Sequence, residues 1–256
     1  MTAEDRIVAA LRRTRKYGAL DAGVLAWAAR EALRRAGGEK DALDFARRKL
    51  HEVSGAFLDA AARKRVLRAL EQAAVAEGEE WRELLRGALR AHASSAERGD
   101  DPGALWRAIL ARTGPVRSVL DLGCGIHPLT LPWSGLERDV RYEGWDLDQE
   151  VCAAVERALV PTFPNARIRP TDVLGAPRYP EVDLVLALKL APTIERQTPG
   201  ALSALLGRLR ARHVAVSWPR RSLGGRRRFA APLDPDTGGE IVTLGDEIVQ
   251  IRRITP

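Results

Sequence analysis

The stretch Val119-Leu120-Asp121-Leu122-Gly123-Cys124-Gly125 decides how this chain is read. An apolar run that ends in an acid and breaks into Gly-x-Gly reads as the first strand of an α/β sheet. The glycines of the turn let backbone N–H groups approach a ligand at the strand's carboxyl end. Toward the C-terminus similar runs recur: RYEGWD (141–146), RIRPTDV (167–173), EVDLVLALKL (181–190) and RHVAVSWP (212–219). Helix-like stretches at 149–159 and 198–212 separate them. Strands alternating with helices at this pitch predict a doubly wound, mainly parallel sheet. EIVTL (240–244) and EIVQIRR (247–253), joined at Gly245-Asp246, add an antiparallel hairpin at its edge.

Toward the N-terminus the texture changes. From 3 to 91 apolar residues recur at helical spacing, as in Ile7 and Leu11 or Val24, Trp27 and Ala28, and no strand-like alternation interrupts them. Gly37-Gly38, Ser54-Gly55 and Gly78 divide this part into four or five helices. The expected organisation is therefore a helical bundle over 1–91, a linker and helix over 92–112, and a Rossmann-like domain over 113–256.

Composition narrows the partners. The 256 residues carry 41 Lys plus Arg against 34 Asp plus Glu, a net charge of +7. Residues 1–70 alone hold sixteen cations and nine acids, and between Glu195 and Asp234 lie nine Arg and no acid. Two separated basic zones read as a footprint on a nucleic acid rather than as evenly spread charge. Two cysteines, Cys124 and Cys152, are too few for a disulfide framework or a Cys-rich zinc site, and point to a reducing cytoplasm. No segment has the run of about 20 apolar residues that a membrane helix needs, so a soluble protein without membrane attachment or metal is expected.

The strand ends suggest the ligand. After Gly125 the chain runs Ile126-His127-Pro128, which lacks the third glycine of a dinucleotide-binding loop, so a pyrophosphate cradle is not expected. Asp146 ends the next strand, where a carboxylate can accept from both hydroxyls of a ribose, and Asp172 after the third can accept from an adenine amine. A Gly loop beside Asp121, followed by these two acids, suits S-adenosylmethionine. Cys124 reads as a small packed residue rather than a nucleophile, and His127 as a loop histidine open to a role or to none. Lys189 stands alone at the carboxyl end of the fourth strand with Glu195 six residues on. The pair can stabilise developing charge, or be a surface lysine capped by a glutamate. Ser217-Trp218-Pro219-Arg220-Arg221-Ser222-Leu223-Gly224-Gly225-Arg226-Arg227-Arg228 reads as a phosphate-binding loop with a Gly-Gly hinge.

Together these motifs resemble the aminoglycoside-resistance 16S rRNA methyltransferases that modify N7 of guanine 1405, the Arm/Rmt and Kgm/Sgm-type group. The likeness is carried by Arg15-Lys16-Tyr17, by the block Ala46 to Phe57, and by His92-Ala93-Ser94-Ser95. It continues through Asp121 to Leu129, Leu188-Lys189 with Glu195 and Gln197, and Ser217 to Arg226, the most specific of them. The resemblance implies a class I methyltransferase fold that uses S-adenosylmethionine and releases S-adenosylhomocysteine. It also implies an extra helical domain that docks on the 30S ribosomal subunit and its 16S rRNA, with a monomer as the acting form. It places the cofactor on His92, Ser94, Asp121, Gly123, Cys124, Gly125, Asp146, Leu147, Asp172, Val173 and Leu188. Lys189 and Glu195 become catalytic, and Arg15, Lys16, Arg47, Arg48, Lys49, Arg220, Arg221, Arg226 and Arg227 bind RNA. One departure stands out: the family's Thr-Arg-Glu-Arg is Ser95-Ala96-Glu97-Arg98 here, so Arg98 or another cation must replace the arginine expected to face the cofactor's methionine carboxylate. A shortened segment after Arg228 is a second. A relative with another target base, or an inactive ribosome-binding homologue, would fit the same residues.

Overall fold

In the computed structural model, residues 1–14, 16–54, 60–220 and 238–254 are described. Helices α1 (Ala3–Arg12), α2 (Ala22–Arg35) and α3 (Glu39–Ser54) come first, followed by α4 (Ala60–Ala73), α5 (Gly78–Ala91), the one-turn α6 (Ala93–Ala96) and α7 (Ala104–Thr113). Short polar side chains start several of them: Thr2 and Asp5 form a reciprocal cap on α1, and Asp21 accepts from the Gly23 and Val24 amides at the start of α2.

Strands β1 (Ser118–Leu122), β2 (Arg141–Asp146), β3 (Ala166–Pro170), β4 (Val182–Ala187), β5 (Ala211–Pro219), β6 (Glu240–Leu244) and β7 (Glu247–Arg253) form one sheet in the order β3-β2-β1-β4-β5-β7-β6. Pairing among β1 to β5 is parallel, whereas β7 runs antiparallel to β5 and β6, as the sequence predicts. Strand order reverses between β1 and β4, which opens a crevice at their carboxyl ends. Helix α8 (Gln149–Leu159) packs on one face, and α9 (Ala191–Gln197) and α10 (Ala201–Leu206) lie between β4 and β5. Gly144 sits where a Cβ would come within 2.8 Å of Ile168 and 3.0 Å of the Cys124 sulfur, so β2 can pass this closely only with glycine there.

The cores divide the helices differently from the expected boundary at 91. Ile7, Leu11, Leu25, Ala28, Ala46 and Leu50 form a core of their own within α1–α3. Helices α4 and α5 instead contribute Val66, Leu70, Trp81 and Leu85 to the core under the sheet, together with Trp106, Val119, Tyr142 and Val155. Trp81 Nε1 also donates to the Ala158 carbonyl of α8 at 2.8 Å. Burying leucines of this kind contributes roughly 1.5–3 kcal/mol each, so α4 and α5 are energetically part of the Rossmann-like body. The α1–α3 unit is joined to that body at the end of β2. Leu20 bridges Asp148, the Asp21 amide donates to the Leu147 carbonyl at 2.8 Å, and Leu147 packs against the α1–α3 core. Arg63 of α4 holds Asp148 at 3.0 Å and Glu150 at 2.6 Å.

Candidate functional site

The carboxyl ends of β1, β2 and β4 open into a cavity of about 990 Å³, walled on its far side by α1–α3, α4 and the linker after α5. That is the upper end of the roughly 300–1,000 Å³ usual for small-molecule sites. Gly123 and Gly125 turn with φ of +64° and +50°, a region that strains any residue with a Cβ. A Cβ on Gly123 would also meet Leu190 at 2.9 Å. Beneath this loop Asp121 is fully buried. Its Oδ2 accepts from Tyr142 at 2.5 Å and sits 2.7 Å from His127 Nδ1, whose ring stacks on Trp106. Oδ1 of Asp121 has no hydrogen-bond partner among the described residues, although Asp121 lines the cavity. A buried, unsatisfied carboxylate oxygen is costly unless a ligand donor meets it, and the ammonium of a methionine moiety is such a donor. The structure thus gives His127 a place under Asp121. Burial raises the Cys124 thiol well above its ordinary value, which keeps it protonated and unreactive.

Asp146 and Asp172 line the same cavity, with Leu147, Val173 and Leu188 between them. Asp146 accepts from the Gly125 amide at 2.9 Å and the Leu147 amide at 2.7 Å, which fixes its orientation at the end of β2. Burial pushes its carboxyl up, opposed by those amides. Asp172 accepts from the Leu174 amide at 3.0 Å. The linker adds His92, Ser94 and Arg98. His92 is buried, hydrogen-bonded to Ser95 Oγ at 2.9 Å, and held neutral: burial first, then Arg98 and Lys189, bring its pKa down to about 4. All eleven cofactor positions expected from the sequence therefore lie at one cavity. Acids at the three strand ends (Asp121, Asp146, Asp172) with Arg98 across from them on the linker fit a ligand that carries a sulfonium, an ammonium, a carboxylate and a ribose.

Lys189 and Glu195 are not brought together. Glu195 accepts from the Gly200 and Leu202 amides at 2.9 and 2.7 Å, so it caps the start of α10 and does not line the cavity; Gln197 does. Lys189 is buried and turns inward, away from open solvent. Its Nζ donates to the Ser94 carbonyl at 2.9 Å and to Glu97 at 2.6 Å, and lies 3.6 Å from Glu247. Glu247, at the start of β7, accepts two bonds from Arg98, at 2.7 and 3.1 Å, and one from Ser217. Burial alone would raise the Glu247 carboxyl, but Arg98, Lys189 and Ser217 outweigh it and hold it at about 2. Sequence reasoning missed Glu97 and Glu247. Arg98 and Glu247 are 149 positions apart and no local pattern links them.

The expected RNA-binding cations spread over the outer face. Lys16 lines the cavity mouth, 3.1 Å from His51 Nδ1. Arg48 and Lys49 surround the ring of Phe45 at 5.7 and 5.9 Å, joined by Arg35 at 5.9 Å. Arg47 bonds Asp44 at 3.0 Å, and Arg220 is exposed. Arg15, Arg221, Arg226 and Arg227 lie outside the described residues.

A family model described as ribosomal RNA methyltransferase (FmrO) matches residues 13–237. The chain belongs to this family. A 16S rRNA (guanine(1405)-N(7))-methyltransferase of Micromonospora olivasterospora is 36% identical over 235 residues, covering 91% of this chain and 79% of the relative. One of the same name from Serratia marcescens is 35% identical over 73% of this chain and 69% of its own length. Among solved structures, the 16S rRNA methyltransferase RmtF in complex with S-adenosyl-L-homocysteine superposes with a TM-score of 0.80 at 29% identity, covering 99% of both chains. The 16S rRNA methylase RmtB gives 0.78 at 26%, covering 97% of both. The FmrO match begins after α1 and runs from α2 through β5, so α2 and α3 belong to the matched region along with most of the sheet. Nor does the Ala96 departure empty the site of a cation. Arg98 is the linker arginine that reaches the cavity wall, where Arg63 and Arg68 also lie, and Ala96 does not line it. Among the described residues no cluster could hold a metal ion, and no helix is long and apolar enough to cross a membrane.

Proposed function

We propose that this protein transfers a methyl group from S-adenosylmethionine to N7 of guanine 1405 in 16S rRNA, and that the modification confers aminoglycoside resistance. The reading further holds that it acts in the cytoplasm, as a monomer, on the assembled 30S subunit. The observation that carries the reading is the cavity, in which Asp121 keeps an unpaired, buried acceptor beside a tight turn of two positive-φ glycines. The match of residues 13–237 to the FmrO family supports the substrate.

Asp146 is held ready for a ribose and Asp172 for an adenine amine. Asp121 Oδ1 would take the ammonium, and Arg98, on the linker, the carboxylate. When bound, S-adenosylmethionine supplies an electrophilic methyl on sulfur; guanine N7 attacks with a free lone pair and the S–CH₃ electron pair stays on sulfur. No proton leaves N7, so no general base is required, consistent with Lys189 and Glu195 both being engaged within the protein. What the chain must provide is in-line positioning and a pocket whose carboxylates can offset the charge of the cationic product. Lys16 at the cavity, with the cations around Phe45 on the same helical unit, would meet phosphates beside a base drawn out of its helix.

The test is to incubate purified small subunits with the protein and methyl-labelled cofactor, then cleave the rRNA at 7-methylguanosine by reduction and strand scission. The expected result is label in 16S rRNA and a single new cut at 1405. Absence of label, or a cut elsewhere, overturns the reading.

A further inference from the structure

Lys189 presents a contradiction between place and direction. It emerges at the end of β4, where a side chain of this fold can reach a substrate, yet its ammonium points back into the protein. Its backbone pays for that direction. Lys189 is the one non-glycine residue with positive φ among the described residues, at +55°, and its amide is tied to Ser217 Oγ at 2.8 Å. A left-handed lysine persists only where its surroundings impose it. Those surroundings are Ser94 and Glu97 of the linker and Glu247 of the hairpin.

We infer that Lys189 is a positioning residue: its ammonium clasps the linker between α5 and α7 onto the end of β4, so that His92, Ser94 and Arg98 face the cofactor before any RNA arrives. This deepens the proposed function and rests on it for the identity of the ligand. The clasp has two halves. Lys189 donates to the carbonyl of Ser94 and to the carboxylate of Glu97, which fixes the one-turn α6 from both sides. Arg98, the next residue, is fixed in turn by two bonds to Glu247, and Ser217 bridges Glu247 to the Lys189 amide. Two cations and two carboxylates thus close a neutral set, buried at Lys189 and Glu247 and half-buried at Glu97 and Arg98, that joins linker, β4, β5 and β7. Each charge has a partner of opposite sign, the condition under which buried ions are tolerated. A lysine meant to contact a guanine would need an ammonium donor left over near the cavity. Here two are donated to the linker and the third side faces Glu247.

The experiment measures S-adenosylhomocysteine binding to the isolated protein by calorimetry, without ribosomes, and single-turnover methylation of 30S subunits at saturating cofactor. Lys189→Met keeps the length and removes the charge; Glu97→Gln keeps the shape and removes the partner. The clasp predicts that each variant binds the product at least tenfold more weakly. Lys189→Met combined with Glu97→Gln should be no worse than the poorer single variant, and saturating cofactor should restore the single-turnover rate to within about threefold of the parent. Unchanged affinity with a rate that stays depressed at saturation would make Lys189 a catalytic group and overturn the clasp. Should Lys189→Met fail to fold, Glu97→Gln alone decides by the same two readouts. If the unaltered protein itself binds no S-adenosylhomocysteine, the methyltransferase reading fails instead, which separates the two claims.

Discussion

The two cationic regions of this protein handle charge in opposite ways. Around the cofactor cavity, Arg98 and Lys189 are buried and matched one for one by Glu247 and Glu97. On the α1–α3 face, Arg48 and Arg47 stand in solvent; Arg47 pairs with Asp44 and Arg35 with Glu31 at the surface, and Arg35, Arg48 and Lys49 gather around the ring of Phe45. A buried charge is useful for geometry and must be neutralised. A surface charge is useful in number and must remain available to an anion. The net charge of the chain, +7, therefore describes the exposed surface better than it describes the cavity, where Arg98 and Lys189 are paired.

The most severe way to break the buried region is Arg98→Ala, which takes two hydrogen bonds from the buried Glu247 and leaves it only Ser217 and the Lys189 ammonium 3.6 Å away. Losing one member of a buried pair costs about 3–5 kcal/mol, so the melting temperature should fall sharply and cofactor affinity with it. A variant that melts like the parent would show that the pair is dispensable. Acid attacks the same region with a known sign. His92 titrates at about 4 in the folded state against an ordinary 6.5, so the unfolded chain takes up the proton first. Stability should fall as pH drops from about 6.5 to 4, by up to about 3 kcal/mol. Glu247, held at about 2 against 4.5, adds stability that is full above pH 4.5 and lost as pH falls toward 2. Denaturant melts across this range check both, and His92→Asn should flatten the upper limb.

Smaller effects sharpen the comparison. Glu195→Ala removes the acceptor for two amides at the start of α10 and should cost about 1 kcal/mol, the usual loss for a helix cap, with cofactor affinity unchanged. A lower saturated rate at unchanged stability would return Glu195 to the reaction. Least disruptive is Lys16→Ala on the docking side. It should leave melting and cofactor binding alone, weaken 30S binding a few-fold, and reduce the slope of log affinity against log salt by about one unit. An identical slope would exclude a phosphate contact.

The sheet was readable in advance because each strand carries its own signal. Val119–Gly125 announces β1 and its turn, and Gly245-Asp246 announces the hairpin. The acids at 121, 146 and 172 were legible too, since strand ends in this topology converge on one crevice. Helices α4 and α5 were harder. Their apolar stripe shows that they pack, and cannot say whether the surface they meet is α3 or the sheet. Glu195 misled for a related reason: proximity to Lys189 in sequence meant little once α9 turned the carboxylate toward Gly200. The Arg98–Glu247–Lys189–Glu97 set could not be read at all, because its members come from a linker, a strand end and a hairpin that meet only after folding.

The central claim is that the chain carries a complete cofactor site of buried, paired charge, independent of the salt-sensitive face that grips RNA. Calorimetric titration of the isolated protein with S-adenosylhomocysteine at low and high salt tests it most directly. The account predicts binding without ribosomes and a Kd that changes less than about threefold between 50 and 500 mM salt, since buried pairs are little screened. Binding that appears only with 30S subunits present, or that weakens with salt as steeply as RNA binding does, would contradict it.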